Sequence, residues 1–239
     1  MGARAGWPVR WWVMLVGGVL TSVIVAGGVL TAGRGLSIDP AVSSHARAAL
    51  VRLAELTVTD GRPSRSDYRR AAFGAAWTDA ATVLGGGNGC DTRNDVLARD
   101  LTDLRRSMVD SCPNAVAGGE FRSPYTGDFI VFRRDRRAGD VQIDHIVPLA
   151  YAWDMGAWSW PVTMRTNLAN DPANLVAVDA ASNLTKSDQA PAQWLPPNRG
   201  FHCQYVTQFV MVMAGYRLTV DRPSHDVMAA VLRSCAAVE

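Results

Sequence analysis

Ile143-Asp144-His145-Ile146-Val147-Pro148 sets a carboxylate and an imidazole side by side at the end of an apolar run. The run from Val141 to Val147 predicts a β-strand, and Pro148 stops it. An unpaired buried charge is costly, so Asp144 and His145 must be paired, solvated at a cleft, or bound to a metal. Neighbouring side chains on a regular strand point to opposite faces, so both can serve one site only where the strand ends or bends. Pro148 supplies such an end. On the hexapeptide alone, a purely structural Asp–His pair remains an alternative.

Working upstream, Pro124-Tyr125-Thr126-Gly127 reads as a turn, Phe129 to Arg133 as a strand, and Arg134 to Asp140 as a charged turn. These elements predict a hairpin, 129–133 with 141–147, that delivers Asp144 and His145. Downstream, a tryptophan-rich helical insert is expected from Leu149 to Trp158. Asn170-Asp171-Pro172 then turns into a short strand, Leu175 to Val178, with Asn174 at its start. Asp179 suits the N-cap of a helix beginning at Ala180 and bounded by Pro191. Asn183 falls in its first turn, and Lys186 and Ser187 follow three and four residues later on the same face. One helical face thus offers an amide, an ammonium and a hydroxyl to the strand that carries Asp144.

In these segments the chain resembles the HNH nuclease family, in particular the HNH domain at the C-terminus of GmrSD-like restriction enzymes and of small exported actinobacterial proteins. The resemblance lies in Pro124 to Gly127, Ile143 to Leu149, Ala169 to Leu175, Asn183 to Asp188 and Trp194-Leu195-Pro196-Pro197-Asn198, and it spans roughly Cys90 to Cys235. It implies an α+β fold, a ββα-metal (HNH) core embedded in a mainly helical, disulfide-bonded domain. It further implies His145 as the general base, a role suited to imidazole. Asp144 and Asn183 would be ligands of one divalent ion, Mg²⁺ or Mn²⁺, Asn174 would brace the loop that orients His145, and Lys186 would meet a phosphate. Asparagine stands at position 183 where the family name has histidine. The implied substrate is DNA, with RNA as a second class.

The N-terminal residues suggest export. Arg4 and Arg10 precede an uncharged run from Trp11 to Ala32, long enough for a membrane span of roughly 20 apolar residues, while Thr31-Ala32-Gly33 would suit signal cleavage. Residues 1–33 are therefore read as a signal peptide or membrane anchor, with the remainder secreted or held outside the cytoplasmic membrane. Residues 34–44 read as a linker, 45–118 as a helical N-terminal region and 119–239 as the nuclease domain with two C-terminal helices. Within 45–118, helices are expected around Ala49 to Leu56, from Ser66 to Ala76, and from Asp95 to Met108, where Val96, Leu97, Leu101, Leu104 and Met108 recur at helical spacing. The four cysteines, Cys90, Cys112, Cys203 and Cys235, include no CxxC pair, which argues against a thiolate zinc site and for two disulfides. Cys90–Cys112 with Cys203–Cys235 is favoured among three connectivities, because each pair brackets a local helical stretch.

The 239 residues, 48% hydrophobic and 19% charged, suffice for one good-sized core. A net charge of +2 gives no concentrated positive field, so charge alone identifies no partner and argues against a sequence-specific DNA reader. Arg133, Arg134, Arg136 and Arg137 could hold a nucleic-acid backbone or form a solvated turn, and Trp153, Trp158, Trp160 and Trp194 could stack on bases or pack in the core. The competing function is a non-catalytic extracytoplasmic module that keeps the scaffold to bind nucleic acid or an envelope partner.

Overall fold

The computed structural model describes residues 40–109 and 112–237. The expected export segment, residues 1–33, lies outside them, as does most of the linker. Among the described residues, no helix is long and apolar enough to cross a membrane.

Three helices build one layer: α1 (Pro40–Ala54), α6 (His202–Gly215) and α7 (Arg222–Ala236). Their apolar faces, including Leu53, Phe209, Val210, Met228 and Leu232, join Ile146, Tyr151 and Leu168 in the larger core. Pro223 stands in the first turn of α7, where its missing N–H costs nothing, and Asp221 caps that helix by accepting from Ser224 N at 2.9 Å. A disulfide, Cys203–Cys235, ties the start of α6 to the end of α7. A two-residue parallel bridge joins β1 (Val58–Thr59) to β7 (Val220–Asp221).

The second, smaller core lies under α2 (Thr92–Asp100) and joins Val96, Leu97 and Leu101 to Phe121, Phe132, Val141, Ile143 and Leu175. Here β2 (Thr102–Val109), β3 (Cys112–Arg122) and β4 (Phe129–Arg133) form an antiparallel sheet in that order. The helix expected from Asp95 to Met108 is thus corrected: it ends at Asp100, and the chain continues as a strand. The 3–4 spacing of Leu97, Leu101, Leu104 and Met108 imitates a helix, but pairing of residues 102–109 with β3 overrides it, and Met108 is exposed. A domain boundary between 118 and 119 would cut β3 in the middle. The Ser66–Ala76 helix is likewise reduced to one 3₁₀ turn, Arg70–Phe73. Cys90–Cys112 forms as expected, although it brackets α2 together with β2.

The strand that decides the fold is β5 (Val141–His145). It does not pair with β4, as the sequence suggested, but with β6 (Leu175–Asp179), antiparallel, with His145 opposite Leu175 and Asp144 opposite Val176. Between them run α3 (Leu149–Asp154), a 3₁₀ turn (Ala157–Ser159), α4 (Val162–Asn170) and a 3₁₀ turn (Pro172–Asn174). The helix α5 (Ala180–Lys186) follows β6 at once, capped by Asp179, which accepts from Ser182 N at 2.8 Å.

Candidate functional site

Asp144 and Gln142 alternate with Ile143 and His145 along β5, so Asp144 meets α5 while Ile143 enters the smaller core. The strand stops at His145, and both Asp144 and His145 line one cleft of about 490 Å³ together with Asn183, Gln142, Trp77, Arg70 and Arg93. Adjacent residues thus serve one cavity at a strand end.

Asn174 makes that end rigid. Its Oδ1 accepts from Val147 N at 2.8 Å, its Nδ2 donates to the carbonyls of Val147 and Leu168 at 3.3 Å each, and its own carbonyl accepts from Ile146 N at 2.8 Å. The side chain is fully buried. Three of these hydrogen bonds fix the two residues that follow His145, and the fourth ties them to the end of α4.

The imidazole of His145 is held from two sides. Its Nε2 lies 2.9 Å from the carbonyl oxygen of Ala169. A carbonyl can only accept, so Nε2 carries the proton and Nδ1 keeps its lone pair. Trp77 stacks on the ring at 5.8 Å between centroids and 11° between planes. Burial pushes the His145 pKa down to about 4, aided by Arg70 and Lys186 and opposed by the Ala169 carbonyl and Asp144. The ring is therefore a neutral base at neutral pH. Trp77 holds a left-handed backbone, φ 57°, which costs on the order of 1 kcal/mol or more for a bulky residue. The chain tolerates this because Thr92 N donates to the Trp77 carbonyl and the ring packs against the smaller core.

Asp144 sits between two donors. The Tyr125 hydroxyl donates to Oδ2 at 2.5 Å, and Lys186 Nζ lies 2.9 Å from Oδ2 and 3.1 Å from Oδ1. Burial, together with the charge of Asp144, raises the Tyr125 pKa well above its usual value, which keeps the phenol protonated and donating. The turn at residues 124–127 turns Tyr125 inward; Gly127 takes its positive φ, and Asn198 secures it through hydrogen bonds to the carbonyls of Tyr125 and Pro124. Lys186 is completely buried and also donates to the His145 carbonyl at 2.8 Å. This corrects the expectation that Lys186 meets a phosphate: an ammonium with no water contact needs its carboxylate partner.

Asn183 donates from Nδ2 to Gln142 Oε1 at 2.7 Å, and its Oδ1 has no hydrogen-bond partner among the described residues. Among those residues, no cluster of three or more His, Cys, Asp or Glu side chains could hold a metal ion. Asp144 and Asn183 nevertheless bring two oxygen donors to one cleft. A carboxylate has about four acceptor positions, and three contacts from Tyr125 and Lys186 leave room for one more. So small a donor set fits an ion such as Mg²⁺, which binds through one or two carboxylates and completes its shell with water and substrate phosphate. Lys186 cancels the only negative charge of the pair, so affinity for the free ion is expected to be weak.

Residues 91–231 match the family described as GmrSD restriction endonucleases, C-terminal domain. The chain belongs to this family. A nuclease-like domain is thus the coarse identity of the region that includes α2, β5, β6 and α5. A protein of Arthroderma benhamiae described as an uncharacterized secreted protein is 37% identical over 148 residues, covering 61% of this chain and 68% of the relative. No solved structure matches.

Trp77, Tyr125, Arg70 and Gln142 reach the site without having been singled out for it by the sequence, whereas Arg93, in the family-like run Asp91 to Asp95 whose residues suit a substrate or supporting role as well as helix capping, does line the cleft. The aromatic and arginine candidates fare unevenly. Trp153 and Trp194 are core residues, Trp160 stacks on Tyr216, and only Trp158 among these four is exposed, covered by Arg65. In the basic turn, Arg134 donates to the Val116 carbonyl and to Asn94, while Arg137 pairs with Asp140 at 2.6 Å.

Proposed function

We propose that the protein is an exported, metal-dependent HNH-type endonuclease that hydrolyses phosphodiester bonds in DNA, with RNA as a second substrate class. The observation that carries this reading is the neutral His145, its Nε2–H committed to a carbonyl so that Nδ1 is its acceptor, on the lining of a cleft that also holds Asp144 and Asn183. The antiparallel pair β5–β6 followed at once by α5 supports reading these elements as a ββα-metal core. His145 Nδ1 accepts a proton from water as the water oxygen bonds to phosphorus and the bond to the leaving oxygen breaks. Asp144 and Asn183 would hold the divalent ion, Mg²⁺ or Mn²⁺, which when bound stabilises charge on the scissile phosphate and the leaving oxygen. Asn174 keeps the imidazole in place, and Lys186 holds both the Asp144 carboxylate and the His145 carbonyl. Export is supported by the apolar segment over residues 11–32, by two disulfides, which suit oxidising compartments, and by the relative described as secreted.

One observation favours the rival reading of a binding module: Lys186 already neutralises Asp144. Incubation of the oxidised protein with plasmid and single-stranded DNA, in Mg²⁺, Mn²⁺ or EDTA, separates the two. Cutting that requires the ion supports the nuclease; retention of DNA without cutting supports the module.

A further inference from the structure

Beside the cleft lies a second cavity, of about 240 Å³, that shares Arg70, Trp77, His145 and Leu149 with it. Its remaining walls are apolar: Ala71, Phe73, Ala75 and Ala169 among them. It is smaller than the roughly 300–1,000 Å³ of a site for a drug-sized ligand, yet has room for one planar ring system. Arg70 stands where cavity and cleft meet, exposed and without a carboxylate partner among the described residues. Arg93, which also lines the cleft, is half-buried and spends Nη2 on the carbonyls of Ala138 and Val141, again with no carboxylate ion pair among the described residues. The wall that shapes the cavity is itself fixed: at Gly74, with φ +85°, a Cβ would come within 2.6 Å of Thr166 Oγ1 on α4.

Resting on the nuclease reading, we propose that this cavity is a base subsite. It takes one unstacked nucleobase of the nucleotide next to the phosphate in the cleft, against the Trp77 side, while Arg70 and Arg93 hold the phosphates on either side. An aromatic wall beside cationic side chains is the chemistry by which single strands are bound, because every base has a face to stack and every nucleotide a phosphate to pair. A base inside a duplex must first be unpaired and turned out to enter such a cavity. The substrate class is therefore single-stranded or locally unpaired polynucleotide.

Filling the cavity from its exposed lip tests this without disturbing the core: Ala75→Leu and Ala71→Leu both replace exposed residues. The binding arm measures fluorescence anisotropy of a labelled single-stranded DNA, an abasic strand of the same length and a duplex, in EDTA, with wild type, both variants and Arg93→Gln. The cleavage arm uses the same DNAs with Mn²⁺. Expected is at least tenfold tighter binding and faster cutting of the single strand than of the duplex or the abasic strand, a preference that each leucine variant abolishes while circular dichroism stays unchanged. Arg93→Gln should weaken binding of all three and reduce its salt dependence. Equal cutting of duplex, abasic and normal strands by wild type and leucine variants would overturn the base subsite and leave the nuclease standing. Base-dependent binding without cutting in Mn²⁺ would keep the subsite and remove the nuclease.

Discussion

Replacing Lys186 by methionine tests whether the buried ion pair holds the site together. The ammonium is fully buried, with Asp144 Oδ2 at 2.9 Å and the His145 carbonyl at 2.8 Å. Methionine keeps much of the volume but leaves the Asp144 carboxylate without its counter-charge. Breaking a buried pair in this way costs about 3–5 kcal/mol. Tyr125 still donates to Asp144, and the carboxylate borders the cleft, so the low end, about 3 kcal/mol, is expected. At about 1.4 kcal/mol per tenfold, the unfolded population rises roughly a hundredfold, a large share of a total stability of about 5–15 kcal/mol. Urea titration of the oxidised protein at neutral pH should show a lower midpoint with an unchanged slope. Adding Asp144→Asn to Lys186→Met should restore part of the loss, since the stranded charge disappears with its partner. A Lys186→Met protein within about 0.5 kcal/mol of wild type, a change typical of an uninvolved surface residue, would refute the reasoning.

Asn174→Ala should destabilise by about 1–3 kcal/mol, because it strands the buried Val147 N–H and carbonyl; chemical denaturation reads this directly. Reducing the disulfides, separated by 22 and 32 residues in sequence, should cost about 3–4 kcal/mol each in the chain-entropy picture, measurable as a lower Tm in dithiothreitol. At Asp179 burial opposes the charge, but hydrogen bonds from Ser123 and Ser182 outweigh it and depress the pKa below the usual 3.8. Its contribution is therefore complete above that value and lost as pH falls through the depressed one. Asp179→Ala should be less stable than wild type by about 1 kcal/mol at neutral pH, and denaturation followed toward pH 2 should show the gap closing.

The site was more legible than the sheet around it. Although the strand stops at His145, two residues short of the expected Val147, Pro148 and Asp179 are local punctuation, so a strand end just before Pro148 and the helix start at Ala180 could be read from single residues and their neighbours. The partner of β5 could not. Phe129 to Arg133 lies close in sequence and alternates suitably, yet β6, beyond the insert from Ile146 to Asn174, pairs with β5. Local spacing carries no information about such long-range pairing, and the same blindness extended α2 through Met108. Lys186 was placed on the correct helix face, but its burial depends on Asp144 being behind it, which only the fold reveals. Trp77 reaches His145 across 68 positions of sequence and is aimed there by a left-handed backbone on a non-glycine residue, for which the surrounding composition gives no signal.

The most direct test of the central claim is the single-turnover rate of single-stranded DNA cleavage by wild type, His145→Ala and Asn183→Ala over a titration of Mn²⁺. The account predicts that His145→Ala loses at least about 10²-fold, the scale of a general base, at every ion concentration, whereas Asn183→Ala regains part of its rate as Mn²⁺ rises. Cleavage by His145→Ala at the wild-type rate, or equal cutting in EDTA, would contradict it.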